Sequence, residues 1–486
     1  MKKNRFVNTL VVALLVTAMV GLRSGHASAG GGGLIVTVVN EGNDATPGDG
    51  ICATASAVCT LRAAIQEANA LAGTQYIFFN LPGSGIHSIS ITSGPLPAIT
   101  DTLTLDGTSQ PNCTAPCIVL SGAALAGSSN NGLVLYSDYN VVKGFIITSW
   151  SFDGIDIQSS GNVIEKNDIG FWPGNPTSLP NAYGIEIRGS NNLIGGSSPV
   201  VRNVISGNTY NGIAIARSGG TPTGNMIQGN YIGTNAAGNA ALPNGNSGII
   251  LYMSASNTLI GGSTAGYRNV ISGNTWLGID SVASSTRIQG NYIGTNAAGN
   301  AGVGNSLGGI HIDGGLTTVG GGLPTTSNVI AYNNGVGINV YGASTRVNMR
   351  RNSIHSNNGL GIDLGNNGVT LNDSLDPDNG PNGYQNFPVI ASATSSTLAI
   401  LATLRSKPNQ TYRLDFYASP AGTCDPSHYG EGRKWVGMAT VITNVSGVWT
   451  NTVTASLSFL AGQAITATAT DAAGRTSEFS LCRVAG

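Results

Sequence analysis

The sequence predicts an all-β protein: a right-handed parallel β-helix solenoid with an N-terminal capping helix, followed by a small immunoglobulin-like β-sandwich. Three observations lead there. They are a recurring apolar cassette, an Asn-bounded cassette between its copies, and a composition poor in charge but rich in glycine. The 486 residues include 70 glycines, with only 9% charged and 41% apolar side chains. An average soluble chain carries roughly 25% charge. Regularly placed apolar residues argue against disorder, and abundant turn formers argue for many short strands.

The first cassette, Gly-[Ile/Leu]-x-[apolar], opens at Gly132, Gly154, Gly184, Gly212, Gly248, Gly309, Gly337 and Gly361, with a variant at Gly278. The second, Asn-x-Ile-x-x-Asn, spans Asn162 to Asn167, Asn203 to Asn208, Asn225 to Asn230, Asn269 to Asn274 and Asn328 to Asn333. Apolar and polar residues alternate over only three to five positions in each, which is strand periodicity. One such unit cannot bury its own apolar face, whereas coil stacked on coil aligns Ile and Val in internal files. Asn recurring at one coil position suits a ladder of amides bonded above and below. Glycine opening each strand suits a tight corner, and right-handedness follows from the crossover preference.

The flanking segments set the domain bounds. Residues 1–29 read as a secretory signal: Lys2, Lys3 and Arg5, then the apolar run Leu10 to Val20, then Ala27-Ser28-Ala29. The protein is therefore expected in the cell envelope or outside the cell, without an integral membrane segment. Losing the leader takes the formal charge from −1 to about −5, a poor balance for nucleic acid. The solenoid is expected over residues 30–390. Its cap is a helix at 59–70, where Leu61, Ala64, Ile65 and Ala68 share a face. Residues 391–486 carry alternating β segments and form the sandwich. Six cysteines in an exported chain fit three disulfides, which nearest-neighbour pairing gives as Cys52–Cys59, Cys113–Cys117 and Cys424–Cys482.

The stretch Asp49-Gly-Ile-Cys52 through Cys59-Thr-Leu-Arg-Ala-Ala-Ile-Gln-Glu-Ala-Asn69 resembles the bacterial CSLREA-domain exported proteins. The eponymous hexapeptide here reads Cys-Thr-Leu-Arg-Ala-Ala. The downstream Arg-Asn-Val-Ile-Ser-Gly-Asn units are similar to the repeats that accompany that domain, over roughly residues 35 to 390. The resemblance implies an exported β-helix related in shape to pectate lyases, and it implies no defined activity.

The chemistry is read from the solvent side of the Gly-Ile-x-Ile strands. Position x runs Val134, Asp156, Glu186, Ala214, Ile250, Asp280, His311, Asn339, Asp363. With coils about 4.8 Å apart, Asp156 and Glu186 should be neighbours, as should Asp280 and His311. The next outward column reads Tyr136, Gln158, Arg188, Ala216, Tyr252, Val282, Asp313 and Tyr341. One reading is a groove where Asp156, Glu186, Asp280 and His311 do acid–base chemistry on a polysaccharide. In that groove the tyrosines would stack on sugar rings and Arg188 and Asp313 would bind polar groups. The plainer reading is a solvated face that binds without turnover. Polygalacturonase motifs (Asn-Thr-Asp, paired Asp, Gly-His-Gly, Arg-Ile-Lys) are missing from the sequence, which favours a non-catalytic surface for carbohydrate or cell-surface glycan. A polysaccharide lyase or glycoside hydrolase on an acidic or neutral polymer is the alternative. Asp373, Asp376, Asp378, Asn379 and Asn382 cluster around a Gly turn, as calcium ligands do, or as Asx turns in a connector do.

Overall fold

The structure is a computed structural model that describes residues 33–125, 127, 129–173, 179–342 and 346–486. The expected leader, residues 1–29, lies outside the described residues. From Leu34 to Leu364 the chain winds through three parallel sheets of eleven, ten and nine strands, with the first coils contributing to the first two sheets before the third begins at Leu133. This is the right-handed parallel β-helix. The first sheet runs from Leu34–Val36 to Val347–Arg350, the second from His87–Ser90 to Ser353–His355, and the third from Leu133–Leu135 to Ile362–Leu364.

Vertical register holds throughout the third sheet. Leu133, Ile155, Ile185, Ile213, Ile249, Ile279, Ile310, Ile338 and Ile362 are successive partners. All nine are buried in one continuous core. Parallel pairing with a period of two puts every second residue inside, so a single slip would turn each file out to solvent.

The asparagines form the expected ladders. In one, Asn181, Asn208, Asn244, Asn274, Asn305, Asn333 and Asn357 are linked in order, each Nδ2 donating to the next Oδ1 at 2.9–3.1 Å. A second runs through Asn167, Asn203, Asn230, Asn269, Asn291, Asn328 and Asn352. The six-residue Asn cassette is thus not one structural unit. At 162–167 and 225–230 it brackets a strand of the first sheet, and at 203–208, 269–274 and 328–333 a strand of the second. The sequence alone merges the two because both strands need an inward Ile between corner asparagines.

The cassette glycines have a different cause from the one expected. Gly132, Gly154, Gly184, Gly212, Gly248, Gly278, Gly309 and Gly337 do not adopt the left-handed backbone. A Cβ on any of them would meet the carbonyl oxygen of the glycine one coil further on at 2.3–2.9 Å. Close approach between coils, not a sharp corner, excludes a side chain there.

Both ends of the solenoid are closed. At the start the helix is Leu61–Ala70, two residues shorter than expected, with Thr60 as its N-cap. Leu61, Ala64, Ile65 and Ala68 are buried on the first coils. The charged residues of the cap helix have physical roles here: Arg62 donates to Glu41 and to the carbonyls of Gly94 and Pro95, and Glu67 accepts from the backbone of Gly48 and Gly50. At the far end the sandwich begins at Val389, with antiparallel sheets of three and four strands around their own core. Its Glu431 takes the place of the next ladder residue and accepts from Asn357 Nδ2 and N at 2.9 and 3.0 Å. Glu478 accepts from the backbone of Leu364 and Thr370, while Phe479 sits against Gly361 at the end of the glycine column. All three expected disulfides are present.

Two faces of the solenoid are unequal. Twelve-residue loops at 233–244 and 294–305 fold back over the second sheet, each closed by a short antiparallel bridge. Beneath them Phe171, Val204, Tyr231 and Val270 form a small outer core, and Arg202 and Arg268 lie over the rings of Tyr231 and Tyr292 at 3.9 and 4.1 Å. The second sheet is therefore covered over these coils, while the outer face of the third carries the titratable side chains described next.

Candidate functional site on the third sheet

The outward residues of the third sheet stand in the expected file. Asp156 pairs with Glu186, and Asp280 with His311. The second column also keeps register, with the backbone N–H of Arg188, Tyr252, Asp313 and Tyr341 each donating one coil back.

The expectation that position x is solvated fails at the first pair. Asp156 and Glu186 are fully buried, as is Asp153 at the start of the same strand. Two arginines cover them. Arg188 pairs with Asp156 at 2.5 Å, and Arg217 bridges Asp153 at 2.8 Å and Glu186 at 2.7 Å. Gln158 also donates to Asp156, and the Ser218 backbone to Glu186. The Arg217 guanidinium lies 3.9 Å from the Tyr183 ring centre and 4.7 Å from that of Phe152, and Tyr183 packs on Tyr210 at 5.0 Å. Flat guanidinium between aromatic rings and carboxylates is a favourable setting for a weakly hydrated cation.

Burial dominates the electrostatics. It pushes Asp153 up to about 7, against the pull of Arg217 and with the help of Glu186 and Asp156. It also raises Glu186, opposed by Arg217 and the Ser218 N–H. Arg217, which burial alone would lower, is held above its ordinary value by Asp153 and Glu186. Two atoms of the cluster, Asp156 Oδ1 and Arg188 Nε, are buried without a hydrogen-bond partner.

Further along, Asp280 and His311 are hydrogen bonded at 2.8 Å through Nδ1 and remain partly accessible. Tyr252 lies between the two groups. Burial raises its hydroxyl, and Tyr183, Glu186 and Asp280 add to the shift. It is half-buried, not exposed as expected, whereas Tyr136 and Tyr341 are 55% and 51% exposed. The face is thus one strip from Tyr136 to Tyr341. Beside it Tyr210 also lines an open cleft of about 480 Å³ with Trp150, Leu125, Leu179 and Pro180.

Of the five expected calcium ligands, Asn382 and Asp376 are bonded to neighbouring segments, and Asp373 Oδ1 and Asp376 Oδ1 are buried without a hydrogen-bond partner. Asn382 is buried, with its amide donating to Val347 and Thr476 carbonyls and accepting from Val347 N. Asp376 is buried against Ser406 and Gln385. Among the described residues no group of three His, Cys, Asp or Glu side chains could hold a metal ion. Asp373, Asp378 and Asn379 belong to the connector into the sandwich, which these bonds pin. Sequence reasoning missed Asp153, Arg217, Phe152 and Tyr183. The available signal was Arg217 itself, a rare charge two residues beyond the inward Ile215 and one coil from Glu186.

Fold and face together define an elongated, doubly capped parallel β-helix protein with one charged and aromatic flank. Among the described residues no helix is long and apolar enough to cross a membrane. No protein-family model and no curated protein matches the chain. Two solved structures that resemble it are tailspike proteins. One is tailspike protein 2 of Escherichia coli O157:H7 bacteriophage CAB120, at 12% identity and TM-score 0.30, over 87% of this chain and 65% of that one. The other is the Dettilon tailspike protein, at 14% identity and TM-score 0.37, over 86% of this chain and 90% of that one. The β-helix is established by the strand register itself, and no activity is taken from either neighbour.

Proposed function

We propose that this is an exported, non-catalytic protein that binds a polysaccharide or cell-surface glycan along the outer face of its third sheet. The observation that carries the reading is the strip from Tyr136 to Tyr341, where three tyrosines, Tyr136, Tyr252 and Tyr341, stand in vertical register with the hydrogen-bonding side chains of Gln158, Arg188 and Asp313. An extended polymer matches a surface that repeats every 4.8 Å or so, and exposed tyrosines offer apolar ring faces with a polar tip. The leader-like N-terminus supports export, and the cap formed by the CSLREA-like segment supports kinship with that group.

Burial weighs against turnover. Asp153, raised to about 7, has the proton affinity of a general acid, but it lies fully buried beneath Arg217 and cannot touch a glycosidic oxygen. The Asp280–His311 pair is accessible and is the one group with which a lyase or hydrolase reading stays testable. A glycan array, followed by reducing-sugar and 235-nm elimination assays on each polymer bound, decides the matter. Binding without release of product is expected, and it should fall at least tenfold in Tyr136→Ala/Tyr341→Ala. Product release abolished by His311→Ala would replace the binding reading with an enzymatic one.

A further inference from the structure

The strip has a sign and an unmet hydrogen-bond demand. Asp153, Asp156, Glu186, Asp280, Asp313 and Asp363 lie on or directly beside its strands, against only Arg188 and Arg217. Both guanidinium groups are ion-paired to carboxylates of the same face. Asp280 has only His311 beside it, and Asp313 is exposed. Asp153, Asp156, Glu186 and Asp363 are buried, so the accessible charge is that of Asp280 and Asp313 on adjacent coils, and a polymer bearing one anionic group per residue would be repelled where it crosses them.

Asp156 Oδ1 and Arg188 Nε supply the second observation. Asp156 is fully buried, and the two atoms are an acceptor and a donor left without partners. Leaving buried polar atoms unpaired is costly, so this end of the strip favours a group that donates and accepts at once. A hydroxyl does both; a carboxylate or sulfate only accepts. Arg188 is 23% exposed along its side chain, so the guanidinium that covers Asp156 borders the solvent.

We infer that the face selects a hydroxyl-rich glycan free of carboxylate and sulfate groups and rejects polyuronates and sulfated polymers. This rests on the glycan-binding reading above, and the test separates the two. Binding of the full exported chain is measured at low ionic strength to laminarin, mannan and xyloglucan, and to polygalacturonate and heparin. Retention on at least one of the first three, with none on the last two, is expected. Asp280→Asn/Asp313→Asn should gain affinity for polygalacturonate by about fivefold or more, a gain that salt erases. Arg188→Ala, which removes the donor, should weaken neutral-polymer binding. Tighter binding to polygalacturonate or heparin than to any neutral polymer overturns the inference and leaves the binding reading standing. No binding to any of the five overturns both.

Discussion

Removing one amide from the middle of a ladder tests what holds the coils in register. Asn230 donates from Nδ2 to Ile194 O, Gln228 O and Asn269 Oδ1, and its Oδ1 accepts from Asn203 Nδ2 and N. In Asn230→Ala the Asn203 backbone N–H loses its acceptor inside a fully buried stack, while Asn203 Nδ2 keeps its bond to Ile164 O. Stranding one buried donor costs about 1–3 kcal/mol, and the lost partial bonds and the small void add to that. The sum is about 3 kcal/mol. Asn230→Asp is expected to cost more, because a buried carboxylate would then face Asn269 Oδ1 and Ile194 O, both acceptors. Asn300→Ala is the control. Asn300 is the same residue type on an exposed loop, bonded to Asn296, and its loss should cost under about 0.5 kcal/mol. Urea titrations followed by far-UV circular dichroism give the differences. If Asn230→Ala unfolds within about 1 kcal/mol of the parent and of Asn300→Ala, the ladder is not a source of stability and the reasoning fails.

Other consequences follow from the two ends. Burial raises Glu431 and Glu478 from the usual glutamate range to about 7, so the folded chain binds more protons than the unfolded one between about 4.5 and 7. Their contribution is fully present below that window and is lost as pH rises through 7. The melting temperature should therefore fall between pH 5 and pH 8, and less so in Glu431→Gln/Glu478→Gln. His355, beside Glu431 and lowered to about 4 by burial and by Arg433, has the opposite slope, losing stability as pH falls from about 6.5 toward 4. At the other end Glu41, although burial raises it, is brought down to about 2 by Arg62 and by the N–H groups of Thr92 and Ser93. Its stabilisation is lost as pH falls from about 4.5 through 2, and Arg62→Ala should narrow that acid limit. Gly212→Ala should cost at least 2 kcal/mol, because its Cβ would lie 2.7 Å from the Gly248 carbonyl oxygen and neither backbone can retreat without breaking register. Reducing the Cys424–Cys482 bond, which closes 58 residues, should lower stability by about 2–4 kcal/mol, read as a shift of the urea midpoint.

The strand files, the ladders, the disulfide pairing and the capping helix were legible because each rests on a local pattern repeated at fixed phase. Ile155 through Ile338 could be stacked from the cassettes alone. What stayed hidden depends on partners that no period supplies. Arg217 reaches its acids from a turn after its own strand, so Asp156 and Glu186 were placed in solvent although they are covered. The cassette glycines were given the wrong cause because a tight corner and a close approach leave the same residue in the sequence. The bonds of Asp376 and Asn382 were not visible because their partners lie on other segments, the Ser406 hydroxyl and the Val347 backbone among them.

Within the two ladders each amide sends one N–H of its Nδ2 to the coil that follows. Such a column has a beginning and an end that are chemically different: its last member offers donors with nothing above them. During synthesis the coils can settle one on another as they emerge, yet the terminal donors of Asn357 stay unmet until the chain has been made as far as residue 431. Completion of the rod therefore waits on two carboxylates from the next domain, Glu431 and Glu478, and a chain cut short before them would leave amide and backbone donors bare at its tip.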